Sequence, residues 1–537
     1  MTPVADGAPL EGAPGDGGPL EGAPGDGAPL EGAAGDGAPV DGAPVEGAPV
    51  DEALAGDILS TSAAGAAAAR GGGLRVGAYI VGALFSVISA SLLTRHLGVA
   101  RFGQYITALS LVAIVGALSD LGLTAVGVRE LSTRPPAERW PLARDLLGLR
   151  IALTLAGGVA IVAIAWLAYS PTLAAGVALA CVGLLLAATQ DNFALPLLIG
   201  LRLGTVSALE LSRQLLTTVF TIVLVFAGAA LVPFLGVSIP VGAIVLVATA
   251  LLVRNTRALT PTFSFERWRR FVRPMLPYSA AIAASSIYLR VSIVLVSALG
   301  TAVQLGYFSL SYRIVEVLTP VPVLLASSAL PIFAHTARDD DHDRLGYALA
   351  RVFEVSLIVG AWVAVSIAVG APLALAIVGG PRFAPAAPVL AVQGIGLGAM
   401  FVSLVWANGL LGLGLYRQIL AISLAGLLLT AALVAALIPI DGAQGAAIGT
   451  STGEVALAIA QCVAVVRRRP PLRPSLRVLP GVALAAALAL APLALTSLPV
   501  IVRLLISTAL FAGAVLLTRA YPPELLDLLP GRPAGRA

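Results

Sequence analysis

Long apolar runs, broken by short polar segments, occupy most of the chain from residue 75 to residue 519. An α-helix needs about 20 predominantly apolar residues to cross the hydrocarbon core of a bilayer. The runs reach that length, so the pattern predicts fourteen membrane-spanning helices. Their predicted positions are 75–96, 104–128, 147–168, 173–199, 207–229, 232–253, 274–298, 304–334, 352–378, 387–412, 418–438, 443–466, 478–497 and 499–519.

The composition agrees with this pattern. Of the 537 residues, 58% are hydrophobic and only 12% are charged, and the mean hydropathy is +0.94. A soluble globular protein must keep a polar surface, which this chain has too few polar residues to supply. The predicted fold class is therefore an all-α integral membrane protein.

The amino-terminal tract differs from the rest of the chain. Residues 6–50 repeat units such as DGAPLEGAPG, and residues 1–57 hold twelve acidic residues and no basic one. Frequent Gly and Pro oppose helix and strand, and the regular acids keep the segment solvated, so we predict a disordered tail over 1–57. Residues 58–74 are predicted to form a surface helix leading into the membrane.

Arginine is concentrated in alternate loops, which orients the predicted helices. The segments between spans two and three, six and seven, and twelve and thirteen are rich in arginine. The loops that follow odd-numbered spans are poor in arginine. Because cytoplasmic loops carry the excess of Lys and Arg, we expect a multi-pass protein of the cell inner (plasma) membrane with both termini in the cytoplasm.

A motif occurs twice. RHLGVARFGQYITALS, Arg95–Ser110, follows the first predicted span, and SALGTAVQLGYFSLSYR, Ser297–Arg313, follows the seventh. Each has a Leu-Gly pair and then a Gly close to a Tyr. A repeat of six spans predicts two parallel bundles related by an axis along the membrane normal. They are residues 75–253 and 274–466, joined by an Arg-rich cytoplasmic linker, 254–273, and followed by two extra helices and a tail, 467–537.

The first motif with SDLGL, together with YLRVSIVLVSALGTAVQLGYFSLSYRIVE, resembles the corresponding segments of bacterial polysaccharide (O-antigen type) flippases. These belong to the multidrug/oligosaccharidyl-lipid/polysaccharide exporter superfamily. The resemblance covers about residues 74–470, and it departs at Ser292, where members often carry an acid. It implies a flippase that moves undecaprenyl-diphosphate-linked oligosaccharide by alternating access. It also implies membrane lipids, a polysaccharide polymerase and glycosyltransferases as partners.

Arg290 and Arg313 are the chief candidates for a substrate site. A charge at membrane depth is costly, so an ionisable residue within a predicted span indicates function. A guanidinium binds phosphate oxygens in a fork, which suits a diphosphate. The alternative is that each arginine only pairs with an acid. Glu316, three residues after Arg313, offers such a pair, whereas Arg290 has no acid within a helical turn.

Five other polar residues in or near the spans are candidates for ion coupling or for lining the cavity. A proton or sodium ion is the expected coupling ion, and no other cofactor is expected. For Glu454 the alternative is structural, because Gly445, Gly449 and Gly453 form a ridge suited to close helix packing. The five candidates are Asp120, Asp191, Asn192, Glu316 and Glu454.

The sequence opposes several other functions. It has no phosphate-binding loop and no nucleophile–base set, so we expect a protein that is not an enzyme and binds no nucleic acid. The tract DDDHD, Asp339–Asp343, is interpreted as a solvated charge run rather than a metal site. The alternative functions are a proton- or sodium-coupled small-molecule exporter and a lipid II flippase of the same superfamily. A membrane glycosyltransferase or polymerase would need larger outer loops.

The predicted topology can be tested with reporter fusions. An alkaline phosphatase fused after Arg469 should be inactive, because the segment after span twelve is predicted to be cytoplasmic. The same reporter fused after Gly300, in the loop after span seven, should be active. Activity after Arg469 together with silence after Gly300 would invert the topology.

Overall fold

The computed structural model describes residues 62–522 apart from 121, 201, 255–259, 270–286, 289, 327–341 and 470–471. All of these residues belong to one unit, Ser60–Ala537. The predicted disordered tail over 1–57 lies outside the described residues. Residues 62–74, within the predicted surface helix, are helical and continue without a break into the first span.

The first half of the described chain contains eight helices. Two of them, α5 and α7, are short segments that lie at the ends of predicted spans four and six. The helices are α1 (Ser62–Asp120), α2 (Leu123–Thr133), α3 (Pro136–Ala168), α4 (Pro171–Phe193), α5 (Leu195–Ile199), α6 (Leu203–Phe226), α7 (Leu231–Gly236) and α8 (Ser238–Leu252).

Among the described residues, the second half and the carboxy-terminal region contain seven α-helices and a further helical segment at 320–326, with 3₁₀ turns at Pro381–Ala386 and Ala491–Ala494. Helix α9 is described from Arg290 onwards as an apolar helix. The helices are α9 (Arg290–Leu299), α10 (Ala302–Leu318), α11 (His342–Val378), α12 (Ala387–Gly412), α13 (Tyr416–Arg468), α14 (Leu479–Leu490) and α15 (Val500–Leu517).

Ten helices in the described part of the chain are long and apolar enough to cross a membrane. Two of these, α1 and α13, each cover two predicted spans and bend where the backbone leaves helical geometry, at Gly98 and at Asp441–Gly442. Two shorter apolar helices, Arg290–Leu299 and Leu479–Ala494, lie within predicted spans seven and thirteen. The prediction of an all-α membrane protein is confirmed.

The second predicted span ends earlier than the sequence suggested, at Asp120 rather than residue 128. Gly122 adopts a φ of 73°, which favours glycine and ends the helix. The Asp120 carboxylate fixes the turn by accepting hydrogen bonds from the Gly122 amide at 3.2 Å and the Thr124 hydroxyl at 2.7 Å. Helix α2 therefore forms a separate element instead of extending the span.

The two copies of the repeated motif pack directly against each other, and we call this part of the molecule the motif end. A Cβ atom added to Gly103 would lie 2.8 Å from the amide nitrogen of Gly306, and one added to Gly306 would overlap the carbonyl oxygen of Val99. Backbones approach this closely only where there is no side chain between them. The repeat thus supplies both surfaces of a contact between the halves.

Hydrogen bonds and aromatic packing reinforce this contact. From α1, the Thr94 hydroxyl donates to the Val378 carbonyl at 2.7 Å, and the Arg95 guanidinium donates to the Ile377 carbonyl at 2.9 Å. Phe102 and Phe383 are almost fully buried and meet edge to face with centroids 6.1 Å apart. The motif end is therefore closed by packed side chains and backbone from both halves.

The linker between the halves is bound to the first half. The Thr262 amide donates to the Arg144 carbonyl at 3.1 Å, and the Trp268 indole donates to the Asp145 carbonyl at 3.1 Å. Arg267 forms an ion pair with the Asp145 carboxylate at 3.1 Å. The described residues of the Arg-rich linker are thus fixed on the amino-terminal part of α3.

Helices α14 and α15 extend the bundle beyond the repeat. Val482 of α14 and Phe511 of α15 share a hydrophobic cluster with Val365 and Val369 of α11. Helices α14 and α15 therefore pack against α11 of the second half and do not cover the contact between the two halves.

Replacing Gly306 with Ala should destabilise the protein by about 1–3 kcal/mol, because the new methyl group would overlap backbone of the other half. The matched control is Gly513→Ala on α15, where a Cβ meets nothing within 4 Å. That change should be neutral or stabilise by up to about 1 kcal/mol through helix propensity. The unfolding free energy of both variants in mixed micelles measures this, and equal behaviour of the two would contradict the contact.

Candidate functional site

A cavity of about 710 Å³ lies between the two halves, away from the motif end. Its walls come from residues 82–86 in the first span of α1, the end of α4, the first half of α6 and the second half of α10. Leu198 of α5 and Thr124 of α2 also line it. The polar residues that line it are Ser86, Thr124, Gln190, Asp191, Ser207, Glu210, Arg213, Gln214, Arg313 and Glu316.

Arg290, Arg313 and Glu316 form one ion cluster, which we call the second-half triad. Oε1 of Glu316 lies 2.6 Å from Nη2 of Arg290, and Oε2 lies 2.6 Å from Nη1 of Arg313. Nη2 of Arg313 donates to the Ser86 hydroxyl of α1 at 2.8 Å. One carboxylate thus holds two arginines, and one of these arginines also contacts the first half.

The spacing of Arg313 and Glu316 on one helix predicted their ion pair, whereas the sequence near Arg290 contains no acid within a helical turn. The structure supplies that acid from the neighbouring helix, because α9 and α10 lie side by side after the turn at Gly300. Both arginines therefore have an ion-pair partner. Arg313 and Glu316 face the cavity directly, whereas Arg290 lies behind Glu316.

The first half contributes a second cluster, which we call the first-half network. Arg150 of α3 is 7% exposed and lies between two carboxylates, with Nη1 3.0 Å from Asp120 and Nη2 3.2 Å from Asp191. It also donates to the Thr124 hydroxyl at 2.7 Å. Arg150 therefore ties the ends of α1 and α4 and the start of α2 to α3.

Arg213 of α6 completes the first-half network on the cavity wall. Its guanidinium lies 3.6 Å from Asp191 and 3.7 Å from Glu210, and it donates to the side-chain oxygen of Gln190. The network joins α1, α3, α4 and α6. Asp120 and Asp191 thus share Arg150 as an ion-pair partner. This gives both carboxylates a structural role beside their candidate role in ion coupling.

Sequence reasoning did not single out Arg150 or Arg213. Both lie within a few residues of the arginine-rich end of their spans, where an arginine is expected to reach the headgroups. The available signal was their position inside predicted spans 147–168 and 207–229, since any intramembrane charge indicates a functional or paired residue.

The two clusters have opposite excess charge. The second-half triad has two arginines and one carboxylate, and the first-half network has two arginines and three carboxylates. Arg313 and Arg213 reach the same cavity from different halves. Two guanidinium groups that face one cavity can bind an anion with charge-assisted hydrogen bonds.

Asn192 and Glu454 do not line this cavity. Asn192 is 6% exposed and donates to the Ala188 carbonyl at 3.1 Å within its own helix. Glu454 on α13 accepts a hydrogen bond from the Tyr288 hydroxyl. The glycine ridge before it packs against the first segment of α13, since a Cβ on Gly449 would lie 2.8 Å from the amide nitrogen of Val434. These contacts fit the structural alternative for the ridge.

Within the described ranges, no group of three or more His, Cys, Asp or Glu side chains is arranged to hold a metal ion. Of the tract DDDHD, residues 339–341 lie outside the described residues, and the side chains of His342 and Asp343 are not described either.

The comparisons with known proteins agree with this architecture. Residues 92–388, more than half of the chain, match the family described as polysaccharide biosynthesis protein. None of the curated proteins matches the sequence.

Solved structures share the fold. The lipid II flippase MurJ in an inward closed conformation aligns with a TM-score of 0.69 at 13% identity, over 84% of this chain and 99% of that one. An inward-facing multidrug resistance MATE family transporter of the MOP superfamily aligns with a TM-score of 0.58 at 15% identity, over 74% of this chain and 98% of that one. At these identities the likeness extends to the fold alone.

Replacing Arg150 with Gln should lower the free energy of unfolding by about 3 kcal/mol. Loss of the guanidinium leaves two neighbouring carboxylates without their shared partner, which is costly at a buried position. The same substitution at Arg134, a surface residue paired with Glu130 and Glu138, should cost less than about 1 kcal/mol. Denaturation in mixed micelles compares the two, and equal losses would show that Arg150 is not a structural tie.

Proposed function

Because the chain belongs to the polysaccharide biosynthesis protein family and has the fold of MOP-superfamily transporters, we propose that it is a flippase for undecaprenyl-diphosphate-linked oligosaccharide. It moves this lipid from the cytoplasmic to the outer leaflet of the plasma membrane. Its membrane partners are the surrounding lipids, the glycosyltransferases that build the oligosaccharide and the polymerase that uses it.

The observation that carries the proposal is the pair of arginines on opposite walls of one cavity. Arg313 belongs to the second half and Arg213 to the first. A lipid-linked oligosaccharide carries its negative charge on the diphosphate, which must pass through an apolar bundle. Guanidinium groups match phosphate oxygens in geometry and remain charged throughout. The diphosphate is therefore bound between the halves, beginning at the second-half triad.

The closed motif end and the cavity at the opposite end support alternating access. The halves touch through Gly103 and Gly306, and the polar cavity lies on the other side of this contact. With the predicted topology, this conformation is open towards the cytoplasm and sealed towards the outside. Opening the motif contact while the cavity end closes moves the bound headgroup to the outer leaflet.

A cationic small molecule is the second candidate substrate. The first-half network has three carboxylates against two arginines, and Asp191 and Glu210 line the cavity. Such a wall suits a cation, as an exporter driven by protons or sodium would require. The second-half triad opposes this, because it places two arginines and a single carboxylate beside the same space.

Deleting the gene in its native host tests the proposal. We expect lipid-linked oligosaccharide to accumulate on the cytoplasmic face and to clear when the wild-type gene is restored. An Arg313→Gln variant should restore less than about a tenth of the flux, because a hydrogen bond to a charged group contributes about 1.5–3 kcal/mol. Extraction and mass spectrometry of the lipid intermediates measure this.

The matched control is Arg129→Gln, which makes the same change at an arginine whose side chain is 77% exposed, and it should restore full flux. Accumulation of lipid II instead would assign the protein to peptidoglycan synthesis. Normal lipid intermediates combined with sensitivity to cationic drugs would replace the proposal with drug export.

A further inference from the structure

We propose that Glu316 is an internal competitor of the substrate: its carboxylate occupies the guanidinium groups of Arg290 and Arg313, at which diphosphate binding begins, and so sets how readily the diphosphate is released. This inference rests on the proposed function and assigns a role to one residue of the same site. Glu316 would thus act as a positioning and affinity-setting residue.

The geometry of the triad is the first support. Each carboxylate oxygen of Glu316 contacts a different arginine, and both distances are 2.6 Å. Two anionic oxygens bridging two guanidinium groups is also the arrangement expected for a bound diphosphate, whose oxygens carry the same charge and accept the same hydrogen bonds. Glu316 therefore fills the position that the substrate requires.

The exposure of the triad is the second support. The side chains of Arg313 and Glu316 are 38% and 24% exposed and face the cavity. A matched pair elsewhere shows what a purely structural contact looks like. Arg351 and Glu354 have the same spacing on α11 and the same distance of 2.6 Å, but Glu354 is 2% exposed and does not line the cavity. Of these two described pairs, the Arg313–Glu316 pair is the one that lines the cavity.

The charge balance is the third support. Two arginines against one carboxylate leave one positive charge, so an approaching dianion is still attracted. Once bound, the diphosphate must share the guanidinium groups with Glu316 or displace it, and the two anions repel each other at short range. A carrier needs affinity that is high enough to load and low enough to unload. Glu316 lowers the affinity for the diphosphate and gives both arginines an ion-pair partner when the cavity is empty.

The test compares Glu316→Gln with wild type and with Glu354→Gln in lipid nanodiscs. The probe is undecaprenyl diphosphate without sugar, titrated to give a Kd, and the same variants are assayed for flipping in vesicles. Glu316→Gln should bind the probe at least tenfold more tightly and flip more slowly, because release becomes limiting. Glu354→Gln should leave the Kd unchanged and lower only the thermal stability.

Weaker or unchanged binding by a folded Glu316→Gln protein, while wild type binds the probe, would overturn the role of Glu316 alone. Failure of wild type and variant alike to bind the probe would overturn the proposed function and this inference with it. Glu316→Ala removes the same charge and should shift the Kd in the same direction, so it replaces Glu316→Gln if that variant does not fold.

Discussion

A charge placed inside a membrane bundle must find its partner within the protein, and this constraint shapes the centre of the molecule. Arg150, Arg213 and Arg313 lie on helices long enough to span a membrane, and Arg290 begins the apolar helix α9. Each of the four contacts at least one carboxylate. Lipid would not solvate these groups, so the helices that carry them must pack with the charges facing inward. The polar cavity between the halves is the result. Its position follows from the pairing of charges rather than from the apolar pattern alone.

The repeated motif meets the opposite requirement at the other end of the bundle. There the halves approach through Gly103 and Gly306, with Phe102 and Phe383 buried beside them. The two ends therefore differ in kind, since one is closed by close packing and hydrogen bonds to backbone carbonyls while the other holds charged side chains that face a cavity. A transporter that exposes its site to one side at a time needs this difference. Each half contributes one copy of the motif to the closed end. The contact there therefore lies between the two halves rather than within either of them.

The apolar pattern was sufficient to predict most of the fold, because a bilayer dictates helix length and excludes strands with open edges. The end of the second span was not predictable, since it depends on a left-handed backbone at Gly122 and on the capping contacts of Asp120. Only part of the candidate site could be predicted from the sequence. Arg313 and Glu316 follow from spacing on one helix, whereas the contact of Arg290 with Glu316 joins two helices. Arg150 and Arg213 were not predicted as site residues because each lies near the start of a predicted span. Sequence position alone does not show whether such an arginine faces the headgroups or the interior of the bundle.

If paired arginines between the two halves bind a lipid diphosphate during transport, translocation should depend on that diphosphate. This dependence can be measured as translocation by the purified protein in vesicles, with one oligosaccharide attached to the same polyprenyl chain either through a diphosphate or through an uncharged linkage. We expect rapid translocation of the diphosphate-linked lipid, and translocation of the uncharged lipid no faster than in protein-free vesicles. Equal translocation of both lipids would contradict this expectation, because the arginines would then have no part in selecting the substrate.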